Sequence, residues 1–142
     1  MNNYASLKLE DQLCFPLYAC AKEIVRKYKP YLDQIDLTYT QYLVMMVMWD
    51  TDYINVKELG DKLYLDSGTL TPLLKKLENK GYITRERSTA DERNLVIKIT
   101  DKGERIKQSA AKIPGKVISG VNLEPEKEKM LHSTLYEMLG QL

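Results

Sequence analysis

Histidine, phenylalanine and tryptophan each occur once in these 142 residues, and cysteine occurs twice. A single His132 leaves no second imidazole for a metal site or a His-based triad, and no CxxC, HExxH or Cys/His cluster is present. Neither a metal nor another cofactor is therefore expected, and His132 reads as a surface or interface residue of the last helix. Cys14 and Cys20 are too few for a disulfide framework, which points to a reducing, cytoplasmic setting. No apolar run approaches the roughly 20 residues of a membrane helix. The amino end shows no basic-then-apolar leader, so neither a membrane nor secretion is expected. An excess of one charge is missing too: 21 Lys and Arg stand against 20 Asp and Glu, a formal net charge of +1. Bulk charge therefore says nothing in favour of a nucleic acid. At 44% hydrophobic and 29% charged, the chain has the make-up of one ordinary globular domain.

Tyrosine is what the chain has in abundance, with ten copies. A buried tyrosine wants a partner for its hydroxyl, so the simplest expectation places most of the ten at the surface as amphipathic aromatics.

Along the chain, residues 8–29 read as a long helix. Cys14, Tyr18, Ala21, Val25 and Tyr28 share one stripe by their 4-3-4-3 spacing. Pro30 and the Asp36 region should end it, and Pro16, lying inside, should remove the bond to the Gln12 carbonyl and kink the helix. A second helix starts near Thr40, capped by Thr38 or Thr40. Its Tyr42–Trp49 stretch is apolar nearly all round, as a core helix would be, with its methionines filling gaps. Asn55 caps a short helix through Val56, Leu59 and Leu63. Asp66 or Ser67 opens another through Leu70, Leu73, Leu74 and Leu77, and Gly81 stops it. Residues 82–87 and 94–99 then alternate with period two across six intervening residues, which predicts a hairpin. Thr100 or Asp101 caps a helix running towards Pro114, and a last helix opens at Pro125.

A short helix pair followed by a basic hairpin is the plan of a winged helix-turn-helix. The expected fold is mainly α with a small β-hairpin. One domain spans 1–142, with the DNA-binding part at 37–100. Dimerisation helices occupy about 8–36 and 101–142, because their apolar stripes call for a second copy. For contact with double-stranded DNA, the recognition helix offers Ser67, Gly68, Thr69 and Thr71 at an open start, then Lys75 and Lys76. Gly68, four residues before Pro72, should spare that ring a crowded turn. The hairpin adds Arg85, Arg87 and Arg93. From Ser67 to Arg93, six cations (Lys75, Lys76, Lys80, Arg85, Arg87, Arg93) face four anions (Glu78, Glu86, Asp91, Glu92), a patterned patch of net +2.

The run from Tyr64 to Glu78, the wing from Asp91 to Gly103, and Ile113-Pro114-Gly115 resemble the MarR family of regulators. Gln12-Leu13-Cys14-Phe15 with Tyr18, Tyr28-Lys29-Pro30 and Leu37-Thr38-Tyr39 narrow the likeness to the organic hydroperoxide-sensing OhrR type. That resemblance implies a homodimeric repressor that binds a pseudo-palindromic operator while reduced and lets go when its cysteine is oxidised. It implies further that Tyr28 and Tyr39 reach Cys14 across the dimer interface. Tyr18 lies one turn from Cys14 on the same face. Cys20 is about 9 Å of rise and some 240° away along the helix, which argues against a Cys14–Cys20 disulfide. A one-cysteine sensor follows, finished by a low-molecular-weight thiol or by a sulfenamide with the Phe15 nitrogen. Competing readings are a regulator released by a small aromatic ligand, a broader thiol-based oxidant-responsive regulator, a thiol peroxidase and a bare dimerisation module. The first expectation remains a regulator and not an enzyme.

Overall fold

The computed structural model describes residues 4–88 and 94–142. Two 3-10 turns, Ala5–Leu7 and Leu9–Asp11, lead into α1, Cys14–Asp33. The helix expected from residue 8 thus begins at Cys14. Pro16 becomes its third residue, where amides have no intrahelical partner to lose, so the reason for a kink disappears. Pro30 does not end α1 either. The helix continues to Asp33 because Leu32 is buried and Tyr31 lies under the Lys116 ammonium, 5.6 Å from its ring centroid. That packing outweighs the ~3 kcal/mol an internal proline costs.

Next come α2, Tyr39–Thr51, β1, Tyr53–Asn55, α3, Val56–Leu63, and α4, Ser67–Asn79. Thr38 caps α2 through a capping box with Gln41, Asn55 caps α3, and Asp66 caps α4. Gly81, at φ 83, closes α4: its N–H donates to the Glu78 carbonyl, and the Tyr82 N–H donates to Leu77. The hairpin is formed by β2, Ile83–Arg87, and β3, Leu95–Ile99. β1 was not expected; its three residues are too few to show a period, and it pairs antiparallel with β3 to give the order β1-β3-β2. Ile54 and Arg85 both face Ile97, which is fully buried.

The helix expected from Thr100 to Pro114 is three short pieces: α5, Asp101–Arg105, α6, Lys107–Ala111, and α7, Ile113–Ile118. The linking residues Ile106 and Lys112 keep right-handed helical backbone, so the path continues with loosened bonds. α8, Pro125–Leu139, follows.

The core gathers α2, α3, α4 and the sheet around Val44, Met45, Met48, Leu59, Leu70, Leu74, Leu77 and Ile97. Gly103 is required where α5 crosses, since a Cβ there would collide with the Tyr82 carbonyl, and its own carbonyl accepts from Trp49 Nε1 at 2.9 Å. The outer helices contribute little. α1 buries Leu32 alone among its residues, and α8 buries none. Leu13, Tyr18, Met130 and Tyr136 are each more than half exposed. No helix of the described residues is long and apolar enough to cross a membrane.

Candidate nucleic-acid interface and thiol site

α4 sorts its residues by face. Leu70, Leu73, Leu74 and Leu77 are buried, while Ser67, Gly68, Thr69, Thr71, Lys75 and Lys76 are all exposed. That is the 3.6-residue period of a helix seated on the core with its opposite side open. The start of α4 is less open than its sequence suggests. Asp66 Oδ1 accepts from the Thr69 N–H at 2.7 Å, and this backbone bond, before any other cause, holds the Asp66 carboxyl below its usual range. A phosphate at this end would have to compete with that carboxylate for the Thr69 N–H. Gly68 does not serve in the way expected. A Cβ there meets only Asp66 Oδ1, at 3.4 Å, and no atom of Pro72, so proline crowding does not require the glycine.

The cations of the patch divide. Arg85 is turned onto Glu78 of α4, donating from Nη2 at 3.0 Å and Nε at 3.2 Å, while its N–H donates to Glu78 Oε2 at 3.1 Å. It fastens β2 to α4, with only a fifth of its side chain exposed, instead of presenting charge to solvent. Glu78 is correspondingly held below the usual carboxylate range, first by the Arg85 side-chain bond and then by its charge. Lys80 is likewise engaged within the chain, on Asp36 and Gln41. Arg87 lies exposed at the end of β2, and Arg93 falls outside the described residues.

Cys14 is exposed and is the first residue of α1. The preceding Leu13 supplies no side-chain cap, so the dipole and amides of a 20-residue helix face this end without a carboxylate from their own cap. Tyr18 is exposed one turn on. Tyr28 and Tyr39 are elsewhere: their rings meet edge-on at 5.0 Å, and Tyr42 joins them at 5.8 and 6.2 Å. Burial raises the hydroxyls of Tyr28 and Tyr39, and it pushes Tyr42 up to about 12 with help from its two neighbours. All three therefore stay protonated donors at neutral pH. Fourteen helical residues separate Cys14 from Tyr28, about 21 Å of rise. One chain does not bring the thiol and this cluster together. Cys20, also exposed, sits on a different face from Cys14.

Residues 26–110 match the family model for transcriptional regulators of the SarA/Rot type. The chain is 45% identical over 141 residues to the organic hydroperoxide resistance transcriptional regulator of Bacillus subtilis, covering 99% of this chain and 96% of that one. It is 47% identical over 133 residues to the regulator SarZ of Staphylococcus saprophyticus, covering 94% and 91%. Among solved structures, reduced AbfR bound to DNA superposes with a TM-score of 0.79 at 31% identity, covering 96% of each chain. A mutant MarR of Escherichia coli complexed with operator DNA, at 23% identity, shares the fold with a TM-score of 0.84 over 98% and 99% of the two chains. This chain belongs to the MarR-type transcriptional regulators of the SarA/Rot family. Its winged helix is the α3–α4 pair with the β2–β3 hairpin.

In this MarR-type chain sequence reasoning passed over Gln41, counted Lys80 only as a patch cation and read Tyr82 only as the start of a strand. They join the turn before α2 to the exit of α4. One part was visible beforehand: Thr38 with Gln three positions on has the spacing of a capping box. The bond from Lys80, 39 residues away, had no local signal.

Proposed function

We propose that this chain is a homodimeric, redox-responsive DNA-binding repressor of the cytoplasm, released from a pseudo-palindromic operator when Cys14 is oxidised by an organic hydroperoxide. The observation that carries the reading is the separation of its two halves. An exposed thiol opens α1, and a cluster of three protonated tyrosines, two of them Tyr28 and Tyr39, lies about 21 Å further along the molecule. A second copy running antiparallel would set each thiol against the other chain's tyrosines and cover the exposed stripe of α1. Residues of about 8–36 and 101–142 serve as the dimerisation helices, and 37–100 as the DNA-binding part.

In this scheme the Cys14 thiolate attacks the terminal peroxide oxygen, an S–O bond forms as O–O breaks to give the sulfenic acid, and the departing alkoxide takes a proton from solvent and leaves as the alcohol. Tyr18, Tyr28 and Tyr39 lose an anionic acceptor as the sulfenic acid forms, which strains the interface that holds the two α4 helices at half-site spacing. A low-molecular-weight thiol then condenses with the sulfenic acid, giving a mixed disulfide and water. Ser67, Gly68, Thr69 and Thr71 meet the operator, with Lys75, Lys76 and Arg87 at its phosphates. The thiol reacts once and resets a switch, so no enzymatic turnover is part of the scheme.

The test is operator binding by fluorescence anisotropy at fixed salt, for reduced wild type and Cys14→Ser, before and after stoichiometric organic hydroperoxide. Release by wild type alone is the expected result. Release by both proteins would make Cys14 incidental. It would direct attention to the groove of about 730 Å3 lined by Tyr39, Met46, Tyr64 and Tyr136, where a small aromatic molecule could act instead.

A further inference from the structure

Lys80 ends the recognition helix, but its ammonium is engaged far back in the chain. It donates to the Asp36 carbonyl and to Gln41 Oε1, both at 2.9 Å, and lies 3.4 Å from the Asp36 carboxylate. Gln41 is a buried polar side chain, 2% exposed, on the inner side of α2. The same Oε1 accepts from the Thr38 N–H at 3.0 Å, while the Gln41 N–H donates to Thr38 Oγ1 at 3.3 Å. One oxygen atom therefore both closes the capping box of α2 and holds the last turn of α4. Two residues after Lys80, the Tyr82 hydroxyl donates to the Ile35 carbonyl at 2.9 Å. Lys102 Nζ adds a bond to the Lys80 carbonyl at 2.7 Å and covers the Tyr82 ring at 5.1 Å. The exit of α4 is thus bonded to residues 35, 36 and 41, which flank Tyr39, the first residue of α2 and part of the tyrosine cluster.

We propose that Lys80, together with Gln41 and Tyr82, forms the positioning element that carries the state of the thiol site to the recognition helix. This rests on the redox-switch reading above. A change at Tyr39 must rotate the first turn of α2. The capping box turns with it, because breaking it would leave the Thr38 N–H without its acceptor and the Gln41 N–H without Thr38 Oγ1. Lys80 then either follows or loses its bond to Gln41 Oε1. Gln41 is buried, and leaving its side chain unpaired costs more than a small displacement of the last turn of α4, where Asn79 is exposed and Lys80 only partly buried, so the exit of α4 moves with the turn. A chain of hydrogen-bonded groups with two arrangements is the physical means by which separated sites become coupled.

The test compares operator affinity of the reduced protein and of the Cys14 mixed disulfide, for wild type, Lys80→Met, Tyr82→Phe and the double variant. Lys80→Met keeps the aliphatic stem and Tyr82→Phe removes one oxygen, so the fold is retained, as circular dichroism will verify. For wild type the oxidised-to-reduced ratio of Kd should be about tenfold or more, within the usual range of coupling between sites. In the double variant that ratio should fall by at least about threefold, and a smaller fall overturns the proposal. Equal weakening of both redox forms overturns it as well, because that is what a merely structural role would give. A second readout is the Cys14 thiol–disulfide equilibrium in a glutathione buffer. Operator DNA should shift it towards the thiol in wild type by the same factor as the Kd ratio, and the shift should vanish in the double variant. A wild-type ratio of one would remove the redox reading itself, whereas a normal ratio kept by the variants removes the coupling alone.

Discussion

Tyr42 shows how burial turns an ordinary residue type into a specialised one. Only 2% exposed and packed against Tyr28, Tyr39 and Trp49, it has nowhere to put a phenolate. Its raised titration has a definite consequence for stability. An acid that ionises later in the folded than in the unfolded chain lends stability that is complete below the unfolded value near 10. That stability is lost as pH rises from there towards about 12. Tyrosinate absorbance titrated against pH should show a late-ionising fraction, and Tyr42→Phe should remove one group from it. In urea, that variant should also lose less stability above about pH 10 than wild type does. Near neutrality the cluster stays a set of hydroxyl donors, the form that a thiolate from a second copy would require.

Among the elements, α4 and the hairpin divide the work of the surface. Lys75 and Lys76 stand on the exposed face of α4, so replacing either with Ala should weaken binding about equally for all operator sequences. The slope of log K against log salt should fall by about 1 for each. Arg85 belongs to the other class of cation, the kind spent inside the chain. The pair it forms with Glu78 is partly exposed and is worth about 1 kcal/mol or less after solvent screening. Because Glu78 ionises below its unfolded value, that contribution is complete above about pH 4.5 and is lost as pH falls through the lower folded value. Urea midpoints of wild type and Glu78→Gln should therefore differ at neutral pH and converge in acid.

At the scale of the molecule, the unfinished business is the outer layer. α1 buries one residue and α8 none, while Leu13, Phe15, Met130 and Leu131 lie open in the single chain. Apolar area on that scale marks an interaction surface, and under the proposed function a second copy would supply the matching face. Thermal unfolding should accordingly shift upward with protein concentration. Leu131→Glu should yield monomers in sedimentation and weaken operator binding by about 100-fold, because two linked half-site contacts become one.

Read alone, the sequence determined the parts whose causes are local. The cap at Asn55, the caps narrowed to Thr38 or Thr40, Asp66 or Ser67 and Thr100 or Asp101, the stop at Gly81, the alternation of the hairpin and the leucine face of α4 all follow from neighbours within a turn or two. They were enough to name the winged helix. Tertiary structure decided whatever depends on residues distant in sequence. It carried α1 through Pro30 because Leu32 had a core to enter, and it recruited Tyr53–Asn55 as a third strand because β3 offered a free edge. It turned Arg85 and Lys80 inward, towards Glu78 and Gln41. The same limit held at the thiol site: spacing put Tyr18 one turn from Cys14 and the family resemblance implied Tyr28 and Tyr39, but a helix rise of about 21 Å separates the thiol from Tyr28 within one chain. A charge counted along a sequence has no direction, and only packing assigns it to the solvent or to a partner.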